Sequence, residues 1–149
     1  MSKATRATRA LEQAGITFSV HSYDYDPGAD RIGLQAAEAL GESPARVLKT
    51  LMALVDGKPA CVIIPSDHEV SMKKLAAAFG GKSAQMMTGY KVGGISPFGQ
   101  MRAVPIAMEQ SALAHDLVYL NGGQRGLQVR LPPRDAADIL KAVVAGVIA

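Results

Sequence analysis

Val47-Leu48-Lys49-Thr50-Leu51-Met52-Ala53-Leu54-Val55-Asp56-Gly57-Lys58-Pro59-Ala60-Cys61-Val62-Ile63-Ile64 decides how this chain folds. Two apolar runs flank Asp56-Gly57, the dipeptide that favours a two-residue hairpin turn. Val47 to Val55 therefore reads as a strand and Ala60 to Ile64 as the strand that returns beside it. Lys49 interrupts the first run between Leu48, Leu51 and Met52. A lysine in an apolar strand must either lift its ammonium to water or meet an anion.

Segments on either side extend the pattern. Residues 3–14 carry an apolar stripe of Ala4, Ala7, Leu11 and Ala14 at helical spacing, and Gly15 stops it. Ile16-Thr17-Phe18-Ser19-Val20 alternates as a strand reaching Tyr23. Asp24 to Asp30 contains Pro27-Gly28 and reads as a loop. Leu34 to Leu40 is a short helix ending at Gly41. Ser71 is a candidate cap for a helix over Met72 to Phe79, closed by Gly80-Gly81. Ala84 to Met87 is a short segment, Ala103 to Met108 is short and extended, and a helical turn is expected at Glu109 to Ala114. Leu117 to Leu120 and Leu127 to Leu131 read as two strands. Pro132-Pro133 opens a final helix whose core stripe is Ala136, Leu140, Val143, Val144 and Val147. Strands joined by hairpins, with helices interspersed, predict an α+β fold rather than a regular βαβ array: a mixed, largely antiparallel sheet with helices packed on it. The 149 residues are read as one domain, 1–149.

Composition narrows the function. Hydrophobic residues make up 48% and charged residues 19%, and there is no Trp, so the core is aliphatic. No segment approaches the ~20 apolar residues of a membrane helix. The opening residues lack the apolar stretch of a secretion signal, so a cytoplasmic protein is expected. Cys61 is the single cysteine, which excludes an internal disulfide and reads as a small core hydrophobe. His21, His68 and His115 are isolated, with no partner at zinc-ligand spacing. No serine elbow, phosphate-binding lysine loop or dinucleotide fingerprint occurs. The net charge of +3 permits a nucleic-acid partner without demanding one. Lys3, Arg6 and Arg9 share a helix face, and Lys73, Lys74, Lys82 and Lys91 form a second concentration.

Gly93-Gly94-Ile95-Ser96-Pro97-Phe98-Gly99-Gln100 offers bare backbone N–H groups in a turn stiffened by proline. With Lys49-Thr50 upstream and Asn121-Gly122-Gly123 downstream, it suggests a small pocket for an acyl group. Such a site stabilises developing charge better than it attacks, so the nucleophile comes from water or from the substrate. In a regular strand Thr50 faces away from Lys49, and both meet one ligand only if the strand bends or lies at the pocket rim. Asn121 either lines the pocket or begins a turn, Tyr23 either lines it or is half-buried at a strand end, and Arg125 either contacts phosphate or sits in solvent.

Val47-Leu48-Lys49-Thr50-Leu51, Gly89 to Gln100 and Asn121-Gly122-Gly123-Gln124-Arg125-Gly126-Leu127 resemble the YbaK/EbsC family, related to the editing domain of bacterial prolyl-tRNA synthetase. The opening helix and Tyr23 to Pro27 also fit, so the resemblance covers nearly the whole chain. It implies a barrel-like sheet and a free-standing deacylase that hydrolyses the ester of mischarged aminoacyl-tRNA, best known as Cys-tRNA(Pro), with no metal or cofactor. It implies tRNA as partner, prolyl-tRNA synthetase as a further candidate, and no membrane. It makes Lys49 and the Gly94 N–H the catalytic groups. Tyr23, Ile32, Thr50, Gly93, Ile95, Ser96, Pro97, Asn121, Gly122 and Gly123 are the residues it places around the substrate. The chemistry implied is substrate-assisted: the substrate thiol attacks its own ester and leaves as a thiolactone. Cysteine-specific members commonly have Ser at Asn121, Asp at Gln128 and Phe at Ile32, so an alanine or other small amino acid is the alternative substrate. A pocket that binds an aminoacyl end or a synthetase without turnover is a second alternative, and a domain whose Gly-rich loops are only turns is a third.

Overall fold

A computed structural model of the protein describes residues 4–24, 32–87, 96–98 and 104–149. In chain order these form α1 (Arg6–Gln13), β1 (Ser19–Ser22), α2 (Ile32–Leu40), β2 (Leu48–Val55), β3 (Lys58–Pro65), α3 (Met72–Ala78) and β4 (Ala84–Met86). There follow β5 (Ile106–Glu109), a 3-10 turn over Gln110–Ala114, β6 (Val118–Asn121), β7 (Leu127–Leu131), α4 (Pro133–Leu140) and β8 (Val143–Ala145).

The hairpin forms as its sequence dictates. β2 and β3 pair one-to-one from Leu48↔Pro65 to Val55↔Lys58. Asp56 and Gly57 both take positive φ, 50° and 80°, the mirror-image turn whose twist matches the strands it joins. The Asp56 carboxylate accepts hydrogen bonds from the Lys82 and Ser83 amides, fastening the entry to β4 against the turn. β4 then pairs antiparallel with the far half of β2.

The described strands make two sheets, ordered β1-β7-β6 and β4-β2-β3-β5-β8. A parallel bridge between Val47 and Tyr119 joins them, with the Tyr119 amide donating to the Arg46 carbonyl at 2.8 Å. The expected α+β architecture is present, as two bridged sheets rather than a closed barrel among the described residues. Among the described strands β3–β5 and β5–β8 pair in parallel ladders, and both need long connections.

The sheets bury two faces. On one, Leu48, Met52, Cys61, Ile63, Met108, Val118, Leu120, Val129 and Leu131 pack with Ala7 and Leu11 of α1 and Ala136 of α4. On the other, Leu75 of α3 packs with Ala53, Val62 and Ile64, while Ala36 and Ala37 of α2 pack on Val47 and Tyr119. Thr5 and Ser71 cap α1 and α3 through their hydroxyls.

The last helix differs from its expected extent. It stops at Leu140, where Lys141 turns left-handed at φ 51°, and Val143–Ala145 becomes a strand on β5. Val143 and Val144 are exposed on this edge strand rather than core-facing, whereas Val147 is buried. The β-branched pair suits an extended backbone, and it supplies the backbone partners that β5 lacks on that side.

Candidate active site

The unbroken register of β2 puts Lys49 and Thr50 on opposite faces of the sheet. Thr50 lies on the side of Leu48 and Met52, opposite Ile63, 4% exposed, and its hydroxyl has no hydrogen-bond partner among the described residues. Lys49 lies on the face of Val47 and Leu51. The structure therefore does not bring these two neighbours to one ligand within β2. The Lys49 side chain is only 15% exposed, and its ammonium meets an anion, Glu69 Oε1, at 3.9 Å.

Strand pairing builds outward from this lysine. The Val47–Tyr119 bridge lays β2 beside β6. Lys49 and Asn121 each follow that bridge by two residues on their own strands, on the same side as Val47 and Tyr119. Asn121 pairs with Gln128, and Gln128 pairs with His21. Asn121, Gln128 and His21 thus share one face in a row across β6, β7 and β1, and Lys49 follows the bridge that joins β2 to this sheet. α2 covers the face beyond Val47, and α3 covers it beyond Ala53 and Ile64, so Lys49 stands between the two helices.

The row is polar but largely enclosed. The Asn121 side chain is buried and shapes a turn. Its Oδ1 accepts from the Gly123 amide at 2.7 Å and its Nδ2 donates to the Gln124 carbonyl at 3.3 Å. Gly122 closes the loop by donating to the Leu127 carbonyl, and its own carbonyl accepts from the Thr5 hydroxyl. Gly123 requires its missing side chain, because φ is +105° and a Cβ would lie 2.9 Å from Thr5. Gln128 is buried, and its Oε1 receives no hydrogen bond among the described residues.

His21 sits 2.8 Å from the Ser19 hydroxyl, and its ring meets Tyr119 edge-on with centroids 5.3 Å apart. Burial, then the Arg130 charge, lowers its pKa against the pull of Glu42, which favours neutral imidazole. The Tyr119 hydroxyl donates to Glu42 at 3.1 Å. Tyr23 is half-buried against the Val47–Tyr119 cluster, and its amide donates to the Gly126 carbonyl at 2.9 Å.

Ser96 and Pro97 are placed at the end of the glycine-rich stretch. The Ser96 hydroxyl accepts from the Phe98 amide at 3.2 Å, and Phe98 is buried in the core on the face opposite Lys49. Gly93, Gly94, Ile95 and the side chain of Ile32 lie outside the described residues. Burial pushes the Cys61 thiol up to about 12, in keeping with a core residue and not a nucleophile. A cavity of about 270 Å³ opens at the hairpin end of β2, lined by Asp56, Phe79 and Pro105, away from Lys49.

Two groups escaped sequence reasoning as site residues. Gln128 stood out only as a departure from a family pattern, and Glu69, beside His68 in sequence, drew no site reading. Gln128 was findable, since a hairpin pairing that begins at Asn121 brings the second residue of the returning strand opposite it. Glu69 was not, because its contact with Lys49 depends on how the segment after β3 folds back.

Residues 26–139 match the family model described as an aminoacyl-tRNA editing domain. EbsC of Enterococcus faecalis, whose proposed activity is Cys-tRNA(Pro)/Cys-tRNA(Cys) deacylation, is 31% identical over 139 residues, covering 87% of this chain and 84% of that protein. A proline–tRNA ligase of Acidithiobacillus ferrooxidans is 30% identical over 139 residues, covering 80% of this chain but 23% of the ligase. A crystal structure described as a proposed trans-editing enzyme for prolyl-tRNA synthetase superposes with a TM-score of 0.80 at 22% identity, over 99% of both chains. At that identity the likeness speaks for the fold.

Proposed function

The chain belongs to the aminoacyl-tRNA editing domain family, a family of deacylases, and on that premise we propose that it clears small amino acids from mischarged tRNA, with Cys-tRNA(Pro) as leading substrate. Residues 1–149 act as one deacylase domain. The observation that carries the reading is Lys49: a lysine with a largely covered side chain on a strand, two residues beyond the bridge to Tyr119, with no activated nucleophile beside it among the described residues.

That arrangement suits charge stabilisation. In the cysteine ester, the substrate thiol attacks its own carbonyl carbon and loses its proton. The carbon–oxygen bond to the ribose then breaks, and the ribose oxygen leaves carrying a proton. A thiolactone is released and the tRNA regains its free hydroxyl. The Lys49 ammonium balances the negative oxygen or the adjacent phosphate. The Gly94 amide is assigned to the ester oxygen, where one such donor contributes about 3 kcal/mol to lowering the barrier. Tyr23, Ile32, the Gly93–Pro97 stretch and the Asn121-Gly122-Gly123 turn are the proposed walls of the aminoacyl pocket. Thr50, facing the opposite side of β2, contributes through packing.

The likeness to EbsC supports cysteine as the amino acid removed. A second substrate, alanine or another small residue cleared by water attack, is favoured by Gln128, a neutral buried amide whose Oε1 receives no hydrogen bond among the described residues. The test is a deacylation panel with cysteine, alanine, serine and proline on one tRNA, alongside Lys49→Ala. Release of one or two of these amino acids, abolished by Lys49→Ala at unchanged melting temperature, is the expected result. Esters left intact across the panel overturn the deacylase reading. Undiminished release by the variant removes Lys49 from the mechanism.

A further inference from the structure

The ion pair at Lys49 is lopsided. The lysine side chain is 15% exposed, while its partner Glu69 is 80% exposed. The carboxylate stands 3.9 Å from the ammonium and accepts no hydrogen bond from a described residue. Its backbone, by contrast, is moored. The Glu69 carbonyl accepts from the Ala149 amide at 2.9 Å, and the Ser71 amide donates to the Val147 carbonyl at 2.8 Å. Val70 bridges to Ile148, whose carbonyl also accepts from Lys74 Nζ at 2.9 Å. The Val147 amide donates to the buried carboxylate of Glu109 at 3.0 Å. The neighbouring acid, Asp67, lies 3.6 Å from His68.

A fixed backbone thus presents one exposed carboxylate to a lysine whose side chain is mostly covered. An exposed carboxylate at this distance holds its partner weakly, so a phosphate or developing oxyanion displaces it at small cost. The apolar flanks of Lys49, Val47 and Leu51, hold the stem while the anions exchange.

We infer that Glu69 is a positioning residue: a removable counter-ion that holds the Lys49 ammonium in place until an anionic group of the tRNA end replaces it. This rests on the reading of Lys49 as the substrate-binding cation. Glu69 then opposes binding without entering the chemistry.

The experiment measures binding of deacylated tRNA(Pro), and steady-state deacylation, for Glu69→Gln, Glu69→Asp, Lys49→Ala and the Glu69→Gln/Lys49→Ala pair. Glu69→Gln is expected to tighten tRNA and lower KM by about two- to fivefold at low salt, with the gap closing as salt rises and kcat little changed. Glu69→Asp returns towards wild type. In the Lys49→Ala background, Glu69→Gln has no further effect. Unchanged or weaker binding in Glu69→Gln overturns the inference. So does equal tightening with and without Lys49, which would mark a general charge effect. A collapse of kcat at constant KM would put Glu69 in the chemistry and also overturn it. Lys49-dependent tightening in a protein that cleaves no ester upholds Glu69 and sinks the deacylase reading. Cleavage with no Glu69 effect does the reverse, and a wild type that does not bind the tRNA overturns both.

Discussion

Thr50→Val separates the two faces of the lysine strand. Thr50 is 4% exposed, packed beside Leu48 and Met52 and opposite Ile63, and its hydroxyl has no partner among the described residues. A hydroxyl buried without a hydrogen bond costs about 1–3 kcal/mol by mutational measure. Valine keeps the branched shape and replaces the oxygen with a methyl among aliphatic neighbours. The lower end of the range is appropriate, since a strand residue can shift slightly to relieve an unmet hydroxyl. The expected result is stabilisation of about 1 kcal/mol. For a chain of this length that raises the melting temperature by roughly 2–4 °C. Urea unfolding gives the free energy and a deacylation assay gives the second readout. Activity should hold within about twofold, because the hydroxyl faces away from Lys49. A loss of 1 kcal/mol or more would mean that the hydroxyl has a partner. Lost activity with retained stability would bring Thr50 into the pocket and refute the two-face reading of β2.

Other outcomes follow from the same packing. Burial of Glu109 works against its ionisation, but hydrogen bonds from Ser111 and Val147 and the nearby His68 charge outweigh that, so its pKa lies below the usual value of 4.5. Its stabilising contribution is therefore full above that value and lost as pH falls through the lowered pKa. Glu109→Gln keeps one of the two acceptors and should cost about 2–3 kcal/mol at pH 7, with the difference from wild type shrinking below pH ~4.5 in urea titrations. Gly123→Ala should cost more than Gly15→Ala, though both have positive φ, because only at Gly123 would the new Cβ meet a neighbour, Thr5, at 2.9 Å. The excess should be about 1–2 kcal/mol, and equal costs would show that the Thr5 contact yields freely. Cys61 should resist alkylation in the folded protein and react only on unfolding; rapid labelling of native protein would contradict its burial.

Local rules made most of the fold legible. The Asp56-Gly57 turn, the Ser71 cap and the alternation at Leu127–Leu131 each act within a few residues, and the structure has all three. The end of the last helix was not legible. Ala136 to Val147 keeps helical spacing, but the open side of β5 captures Val143 and Val144 as a strand, a preference set across the sheet. The lysine was legible as a candidate because a charge in an apolar run needs a reason, and its ammonium does meet an anion, Glu69. Its counter-ion was not, since Glu69 is placed by the Ala149 amide on its own carbonyl and by the Ser71 bond to Val147, both far from it in sequence. Asn121 presented turn-forming and pocket-lining alternatives, and its side chain makes the turn.

The two-residue turn between β2 and β3 also orders events in time. A hairpin of neighbours closes in about 1–10 μs, whereas pairings between distant parts of a chain wait on slower searches. The platform that carries Lys49 can therefore assemble while a ribosome is still delivering the residues that tether Glu69. The backbone bonds from Val147 and Ala149 that moor the Glu69 segment complete last.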